Sequence, residues 1–369
     1  MANMPLNYRR RLNTLLRYTV TIAAVLAGFS ALGQEGSQPL SVAVPTLLHN
    51  EHVASVSFAK IDDGKTVLTE AYGEAGPGIP ANISTLYNIA SLSKPISAEV
   101  ILRLASADKL SLDEPMYPYW LDPDLAADPR AKLLTPRMAL DHQTGFPNWR
   151  AQTGGKLTFV RDPGCGFGYS GEGYQYVARF AEKKTGESFE QLAQNLIFDP
   201  LKMTRTAYTD RPWMTNQIAQ PMDSDGRWLT PVIATSFVAA DLVYTTPDQY
   251  ASFIESLMTG AGESPAIRQL RESVLTDRKA ELCVGKKLDS CPDKVGFGLG
   301  WEVIQIRRKT FLMHTGMDQG LFTLAYFDPG ARSGVIVFTN SANGPRVILP
   351  LLTLLKADPD FIAYLRAQA

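Results

Sequence analysis

Between His52 and Gly73 the chain reads HVASVSFAKIDDGKTVLTEAYG. β-branched and aromatic residues recur on both sides of Asp63-Gly64, a pair suited to the positive φ of a two-residue hairpin turn, so the stretch predicts two strands. From Ser91 to Ala107 the period changes, and Ile96, Val100, Ile101 and Leu104 fall on one stripe of a helix. GYQYVARFAEKKTG predicts a second helix, closed by Gly186. TPDQYASFIESLMTG predicts a third, with Thr246 as N-cap, Pro247 in the first position and Gly260 at the end. From about residue 299 the strand pattern returns. LGWEVIQIRRKTFLMH reads as a hairpin turning near Arg308, and LFTLAYFDPGARSGVIVFTN as another turning at Asp328-Pro-Gly. A final helix is expected over roughly 346–366.

Strands at both ends and helices between them predict an α+β fold. One antiparallel sheet would be assembled from residues 47–90 and 295–369, with a mostly helical insertion over about 110–290 beside it. The cleft between sheet and insertion is a natural position for an active site. Residues 34–46, polar and containing proline, read as a flexible lead-in to a domain spanning 47–369.

Composition narrows the function classes. Hydrophobic residues at 45% and charged residues at 20% fit a globular chain of 369 residues. A net charge of −1, with no basic run beyond the N-terminus, gives no general attraction to nucleic acid or to anionic membrane. Residues 1–33 are set apart from the fold. Arg9, Arg10, Arg11 and Arg17 precede the apolar run YTVTIAAVLAGFSALG, of signal-peptide length and short for a bilayer span, and Ala31 and Gly33 suit a cleavage site. The alternative is an uncleaved anchor. Cleavage would leave an exported protein, periplasmic or secreted, with no stable membrane anchor. In an oxidising compartment Cys283 and Cys291 could close a small disulfide loop, leaving Cys165 over. His49, His52, His142 and His314 form no HExxH or similar cluster, so neither metal nor cofactor is expected. The pattern specifies no oligomeric state.

Ser-x-x-Lys occurs three times, as Ser57 with Lys60, Ser91 with Lys94, and Ser106 with Lys109. The first pair sits in an alternating strand and the third at a fraying helix end. Only Ser91 and Lys94 fall in a helical first turn, where positions i and i+3 are neighbours. Pro95 fits that placement, because a first-turn residue has no N–H partner to lose. A serine hydroxyl needs a base to become a nucleophile, and a lysine serves once burial lowers its pKa from about 10.4. The bland alternative is a capping serine with a lysine snorkelling to solvent. Tyr169, in the glycine-rich loop CGFGYSGEGYQYV with Ser170 as candidate N-cap, is a candidate proton relay or a packing tyrosine. In FLMHTGMDQG, His314-Thr315-Gly316 ends an apolar strand; glycine there permits close approach of a ligand, and the N–H groups that follow could stabilise an oxyanion.

Together and in this order, Ser91-Leu-Ser-Lys94, Tyr169-Ser-Gly171 and His314-Thr-Gly316 resemble the motifs of the serine β-lactamase and penicillin-binding protein superfamily. The nearest branch is that of class C β-lactamases, DD-peptidases and β-lactamase-like carboxylesterases. LLTPRMALDHQTGFPNW, GFGLGWEV and GVIVFTNSANG are similar to supporting segments of that branch, so the resemblance spans nearly all of 47–366. It implies a β-lactamase-like fold: a five-stranded antiparallel sheet flanked by helices, plus an inserted helical subdomain. It implies Ser91 as nucleophile, Lys94 and Tyr169 sharing the general base and acid work with either able to take the serine proton, and the backbone N–H groups of Ser91 and Met317 as the oxyanion hole. His314, Thr315 and Gly316 would bind substrate.

Two residues depart from the pattern. Gly171 stands where the family usually has asparagine, and His314 replaces the lysine of a dedicated class C β-lactamase. Both point away from an efficient β-lactamase, toward a serine hydrolase of esterase or DD-peptidase type acting on a small ester, amide or peptide. The alternatives are a catalytically silent module that binds penicillin or cell-wall fragments, and a true class C-like β-lactamase. An α/β-hydrolase is set aside, because GYSGE around Ser170 fails the nucleophile-elbow pattern at its last position.

Overall fold

The computed structural model describes residues 38–285 and 291–368. The segment 1–33, read as a signal peptide, lies outside the described residues. The strands are β1 (Ser55–Asp62), β2 (Lys65–Gly76), β3 (Ile79–Pro80), β4 (Tyr87–Asn88), β5 (Tyr244–Thr245), β6 (Thr276–Asp277), β7 (Lys294–Phe297), β8 (Glu302–Ile306), β9 (Lys309–Asp318), β10 (Leu321–Asp328) and β11 (Ser333–Thr339). The helices of ten residues or more are α1 (Leu40–Glu51), α2 (Ser93–Ser106), α3 (Gly171–Thr185), α4 (Pro247–Thr259), α5 (Pro345–Leu354) and α6 (Pro359–Gln368).

The main sheet runs β3-β2-β1-β11-β10-β9-β8-β7-β6, with β1 from the N-terminal half paired antiparallel to β11. Its five long strands, β2-β1-β11-β10-β9, are contiguous and form the antiparallel sheet expected; the short β3, β8, β7 and β6 extend it at the two edges. The β1–β2 turn falls on Asp63 and Gly64, at φ 47° and 72°, as the mirror-image hairpin turn requires. The β8–β9 turn falls on Arg307 and Arg308, with Arg307 at φ 56°.

The sheet is covered on both faces, so its central strands are apolar almost throughout rather than alternating with polar residues. In β10 all eight residues are buried. Phe322, Leu324 and Tyr326 enter one core with Phe58, Val335 and Val337, whereas Ala325 and Phe327 enter the other with Ile61, Ile336 and Phe338. Helices from the two chain ends, α1, α5 and α6, cover the first face through Val44, Leu48, Leu351, Leu352 and Phe361. The second face carries α2, α3 and α4, with Ile96, Ile101, Tyr174, Phe253 and Leu257 in its core.

Two expectations are corrected. The stretch 34–46 is not simply a lead-in, because α1 begins at Leu40. Its Pro45 lies inside the helix, a placement worth roughly 3 kcal/mol of destabilisation, but Val44 and Leu48 are anchored in the core and hold the helix in place. The single helix expected at 346–366 is two. Lys356 turns to φ 53° and Pro359 opens α6, because a proline is tolerated at a helix start but not inside one. Cys283 and Cys291 are joined as a disulfide with Cα atoms 5.6 Å apart, and Cys165 is an exposed free thiol. Among the described residues no helix is long and apolar enough to cross a membrane.

Candidate active site

The short β4–β5 pair fixes the turn that carries Ser91. It aligns Tyr87 with Thr245 and Asn88 with Tyr244, and Ile89 N–H then donates to the Val243 carbonyl at 2.9 Å. Ala90 is forced to φ 47°, a left-handed conformation that costs an alanine about 1 kcal/mol. Its neighbours hold it there. Ala90 N–H donates to Asn88 Oδ1 at 2.8 Å, Ser93 Oγ donates to the Ala90 carbonyl at 2.7 Å, and Tyr250 Oη donates to the Leu92 carbonyl at 3.1 Å. Ser91 therefore sits in a 3₁₀ turn, Ala90–Leu92, just ahead of α2 rather than inside its first α-helical turn. Lys94 follows three positions on, in the first turn of α2, so its side chain lies on the same face as Ser91.

Lys94 Nζ lies 2.9 Å from Ser91 Oγ and donates to the Ala240 carbonyl, also at 2.9 Å. Lys94 is 0% exposed, whereas Ser91 keeps partial access to solvent. Of the other two Ser-x-x-Lys pairs, Lys60 is only half-buried and Lys109 is exposed. Burial pushes the Lys94 amine down to about 7, and the nearby Asp241 carboxylate opposes the shift only in part. The amine is enclosed by rings: its Nζ is 4.8 Å from the centroid of Tyr169, 5.9 Å from that of Trp149 and 6.0 Å from that of Tyr174.

Tyr169 is half-buried and hydrogen-bonds to the Ser91 side chain. Burial raises its phenol above the ordinary value of 10.0, more than the Ser91 hydrogen bond lowers it, so it stays protonated at neutral pH. His142 supports the ring from behind, with centroids 4.3 Å apart, and its Nδ1 accepts the Ser170 N–H at 3.1 Å. Ser170 caps α3 by accepting the Gly173 N–H at 3.0 Å. The loop bearing Tyr169 is thus clamped between a helix start and a buried imidazole. His142 belongs to a segment that the sequence resemblance singles out without assigning it a role.

The third motif arrives on β9. Its pairing with β8 ends at Met313, opposite Glu302, so residues 314–318 are paired only with β10 and leave an open strand edge. At Gly316 this edge meets the nucleophile turn: a Cβ there would lie 2.2 Å from the Ile89 carbonyl oxygen, 2.4 Å from Thr323 Oγ1 and 3.1 Å from the Ser91 nitrogen. Glycine is required for steric reasons alone. Thr323 Oγ1 locks the same approach by donating to the Ile89 carbonyl at 2.9 Å. Met317 follows, 41% exposed. His314 is buried; desolvation and the nearby Lys94 hold its imidazole down to about 3, against the opposing effect of its hydrogen bond to Thr315. Its Nδ1 is 2.7 Å from the Thr315 carbonyl oxygen, which can only accept, so the proton is on Nδ1 and Nε2 is a bare acceptor. His314 Nε2 has no hydrogen-bond partner.

The structure therefore gathers Ser91, Lys94, Tyr169, His314 and Gly316 around one point. It also brings in the Ala240 carbonyl and Asp241, which sequence reasoning missed, and Trp149, which ends the same segment as His142 and was likewise given no role. The first is a backbone atom and leaves no trace in side-chain chemistry. Among the described residues no group of His, Cys, Asp and Glu could hold a metal ion.

The geometry agrees with comparisons to known proteins. A family model described as Beta-lactamase matches residues 40–357. The D-alanyl-D-alanine-carboxypeptidase/endopeptidase AmpH of Escherichia coli (strain K12) is 23% identical over 302 residues, 74% of this chain and 76% of that protein. Protein flp of Staphylococcus aureus (strain COL) is 22% identical over 223 residues, 55% of this chain and 44% of that protein, so the chain matches less than half of that relative. The octameric penicillin-binding protein homologue from Pyrococcus abyssi shares the fold, with a TM-score of 0.72 at 20% identity over 87% of this chain and 78% of that one. The chain belongs to the Beta-lactamase family, a family of serine hydrolases.

Proposed function

We propose that the protein is an exported hydrolase that cleaves an ester or amide through an acyl-enzyme on Ser91, with esters preferred over β-lactams. The observation that carries this reading is the buried Lys94 amine, 2.9 Å from Ser91 Oγ and with its pKa down to about 7. A neutral amine at that distance takes the serine proton as the oxygen attacks the carbonyl carbon. Tyr169, still protonated at neutral pH, is poorly suited to be the first base. It gives its proton to the leaving alcohol or amine and regains one from the Lys94 ammonium. The tetrahedral oxyanion would be met by the N–H groups of Ser91 and Met317, donors of the kind that stabilise such charge. Water then attacks the ester on Ser91, one of its protons returns to the serine oxygen through Lys94, and the acid is released.

Two features support an ester over a β-lactam. Gly171 offers no side-chain amide to hold a substrate amide. His314, neutral and with a bare acceptor at Nε2, offers a carboxylate no cation. Export rests on residues 1–33 alone. The second reading, a peptidase or β-lactamase, is favoured by the family match and by the carboxypeptidase and endopeptidase activity that gives AmpH its name.

Purified protein should hydrolyse p-nitrophenyl esters faster than nitrocefin or a peptide ending in D-Ala-D-Ala, and Ser91→Ala should abolish each activity found. Turnover that survives in Ser91→Ala would remove the serine from the mechanism. A stable penicillin adduct without turnover of any substrate would favour the silent binding module.

A further inference from the structure

Trp149 occupies the space into which a side chain at position 171 would project. A Cβ on Gly171 would lie 2.8, 2.9 and 3.0 Å from the Trp149 ring carbons Cη2, Cζ2 and Cζ3. The loop that carries the tryptophan is fastened to the start of α3, because Gly171 N–H donates to Asn148 Oδ1 at 2.9 Å and Arg150 N–H donates to Glu172 Oε1 at 3.0 Å. Glycine at 171 and tryptophan at 149 are therefore one exchange: a side chain at 171 and this ring cannot both be present without a shift.

The ring has a second neighbour. Trp149 lines a cavity of about 500 Å³ together with Trp120, Tyr176, Phe237, Val238 and Gln175. That volume suits a small organic group. The two arginines at the cavity are both neutralised. Arg150 is paired with Asp122 at 2.9 Å and Glu172 at 2.8 Å, and Arg179 with Glu182 at 2.7 Å. Neither offers an uncommitted charge to an anion. The same Trp149 ring lies 5.9 Å from Lys94 Nζ, so it borders both the cavity and the reacting centre.

We infer that Trp149 determines substrate specificity, forming with this cavity a subsite for a neutral aromatic acyl group. The inference rests on the proposed acyl transfer to Ser91. An arylacetyl ester would place its ring against Trp149, where offset or edge-to-face contact between aromatic rings is favourable. Gly171 brings no side-chain amide beside Trp149, and the Trp149 ring fills that place with an apolar, aromatic surface. The subsite thus selects the acyl group by its ring rather than by an amide.

The test compares kcat/KM for p-nitrophenyl phenylacetate with that for p-nitrophenyl acetate, in the natural protein and in Trp149→Ala, Trp149→Phe and Ser91→Ala. The natural protein should favour the phenylacetate by about tenfold or more, the scale of discrimination that apolar contact of the substrate ring with Trp149 can supply. Trp149→Ala should collapse the ratio toward one, and Trp149→Phe, which keeps a ring, should restore most of it. An equal loss on both esters, or a ratio unmoved by Trp149→Ala, would overturn the inference. If Trp149→Ala fails to fold, the absence of a phenylacetate preference in the natural protein overturns it equally. Hydrolysis surviving in Ser91→Ala would instead overturn the acyl-enzyme reading, whatever the ratio shows.

Discussion

Lys94 Nζ bridges Ser91 Oγ and the Ala240 carbonyl, at 2.9 Å each, and so ties the nucleophile turn to the inserted region. The amine uses one N–H on Ala240 and turns its remaining valence to the serine. With its pKa down to about 7, it is largely unprotonated just above neutrality. Below that pKa it carries a proton and cannot accept another. The acid limb of the kcat/KM profile for a neutral ester should therefore fall tenfold per pH unit below an apparent pKa of about 7. Lys94→Met should lose roughly 10²–10⁴-fold in kcat, the usual scale of general-base catalysis.

The same shift bears on stability. In the unfolded chain Lys94 titrates near 10.5, and in the folded protein at about 7. Between these values the unfolded chain binds more protons, so stability rises with pH across that window. Urea unfolding of the natural protein should show the rise, and Lys94→Met should lack it. At pH 7 the methionine variant should be the more stable, by an upper limit of ~5 kcal/mol, because no charged form need be excluded from the core. Parallel pH profiles for the two proteins would mean that Lys94 keeps an ordinary pKa.

Gly316→Ala puts a methyl group 2.2 Å from the Ile89 carbonyl oxygen. β9 and the nucleophile turn must then separate, and overpacking of this kind costs about 1–3 kcal/mol. The catalytic loss should be larger, about 100-fold in kcat/KM, because small displacements of reacting groups carry that penalty. Thermal unfolding and ester kinetics on one preparation separate the two effects; full activity in a folded variant would show that β9 has no part in the site.

His314→Lys would add an ammonium beside Lys94, in place of an imidazole held neutral by a pKa down to about 3. Like charges disfavour each other's protonated forms. The acid limb of ester hydrolysis should therefore move to lower pH, and substrates bearing a carboxylate should gain in kcat/KM relative to neutral esters. An acid limb that stays in place, with no gain for anionic substrates, would show that position 314 does not face the reacting groups.

Much of this was legible along the chain. The β1–β2 and β8–β9 hairpins follow from local turn chemistry, and Gly186 and Gly260 end α3 and α4 in left-handed φ of 80° and 70°. The spacing of Ser91 and Lys94 was equally legible, because both lie within one turn. Helix α1 and the break between α5 and α6 were not. The first depends on burial of Val44 and Leu48 beneath α5, whose residues lie some 300 positions later in the chain. The second depends on Lys356 adopting a left-handed conformation that its sequence does not call for.

The sequence by itself determined the β1–β2, β8–β9 and β10–β11 hairpins, the helices α2, α3 and α4 and the three short motifs, since each is set by residues within a few positions of one another. Only the tertiary structure decided that Lys94 is dry, that the Ala240 carbonyl accepts its hydrogen bond, that β9 touches Ser91 through Gly316, and that Trp149 fills the space beside Gly171. Each of these depends on excluding water or bringing backbones together across more than 20 residues of chain, and in the case of Ala240 across 146. Desolvation is a property of what surrounds a group in space, and no local pattern encodes it.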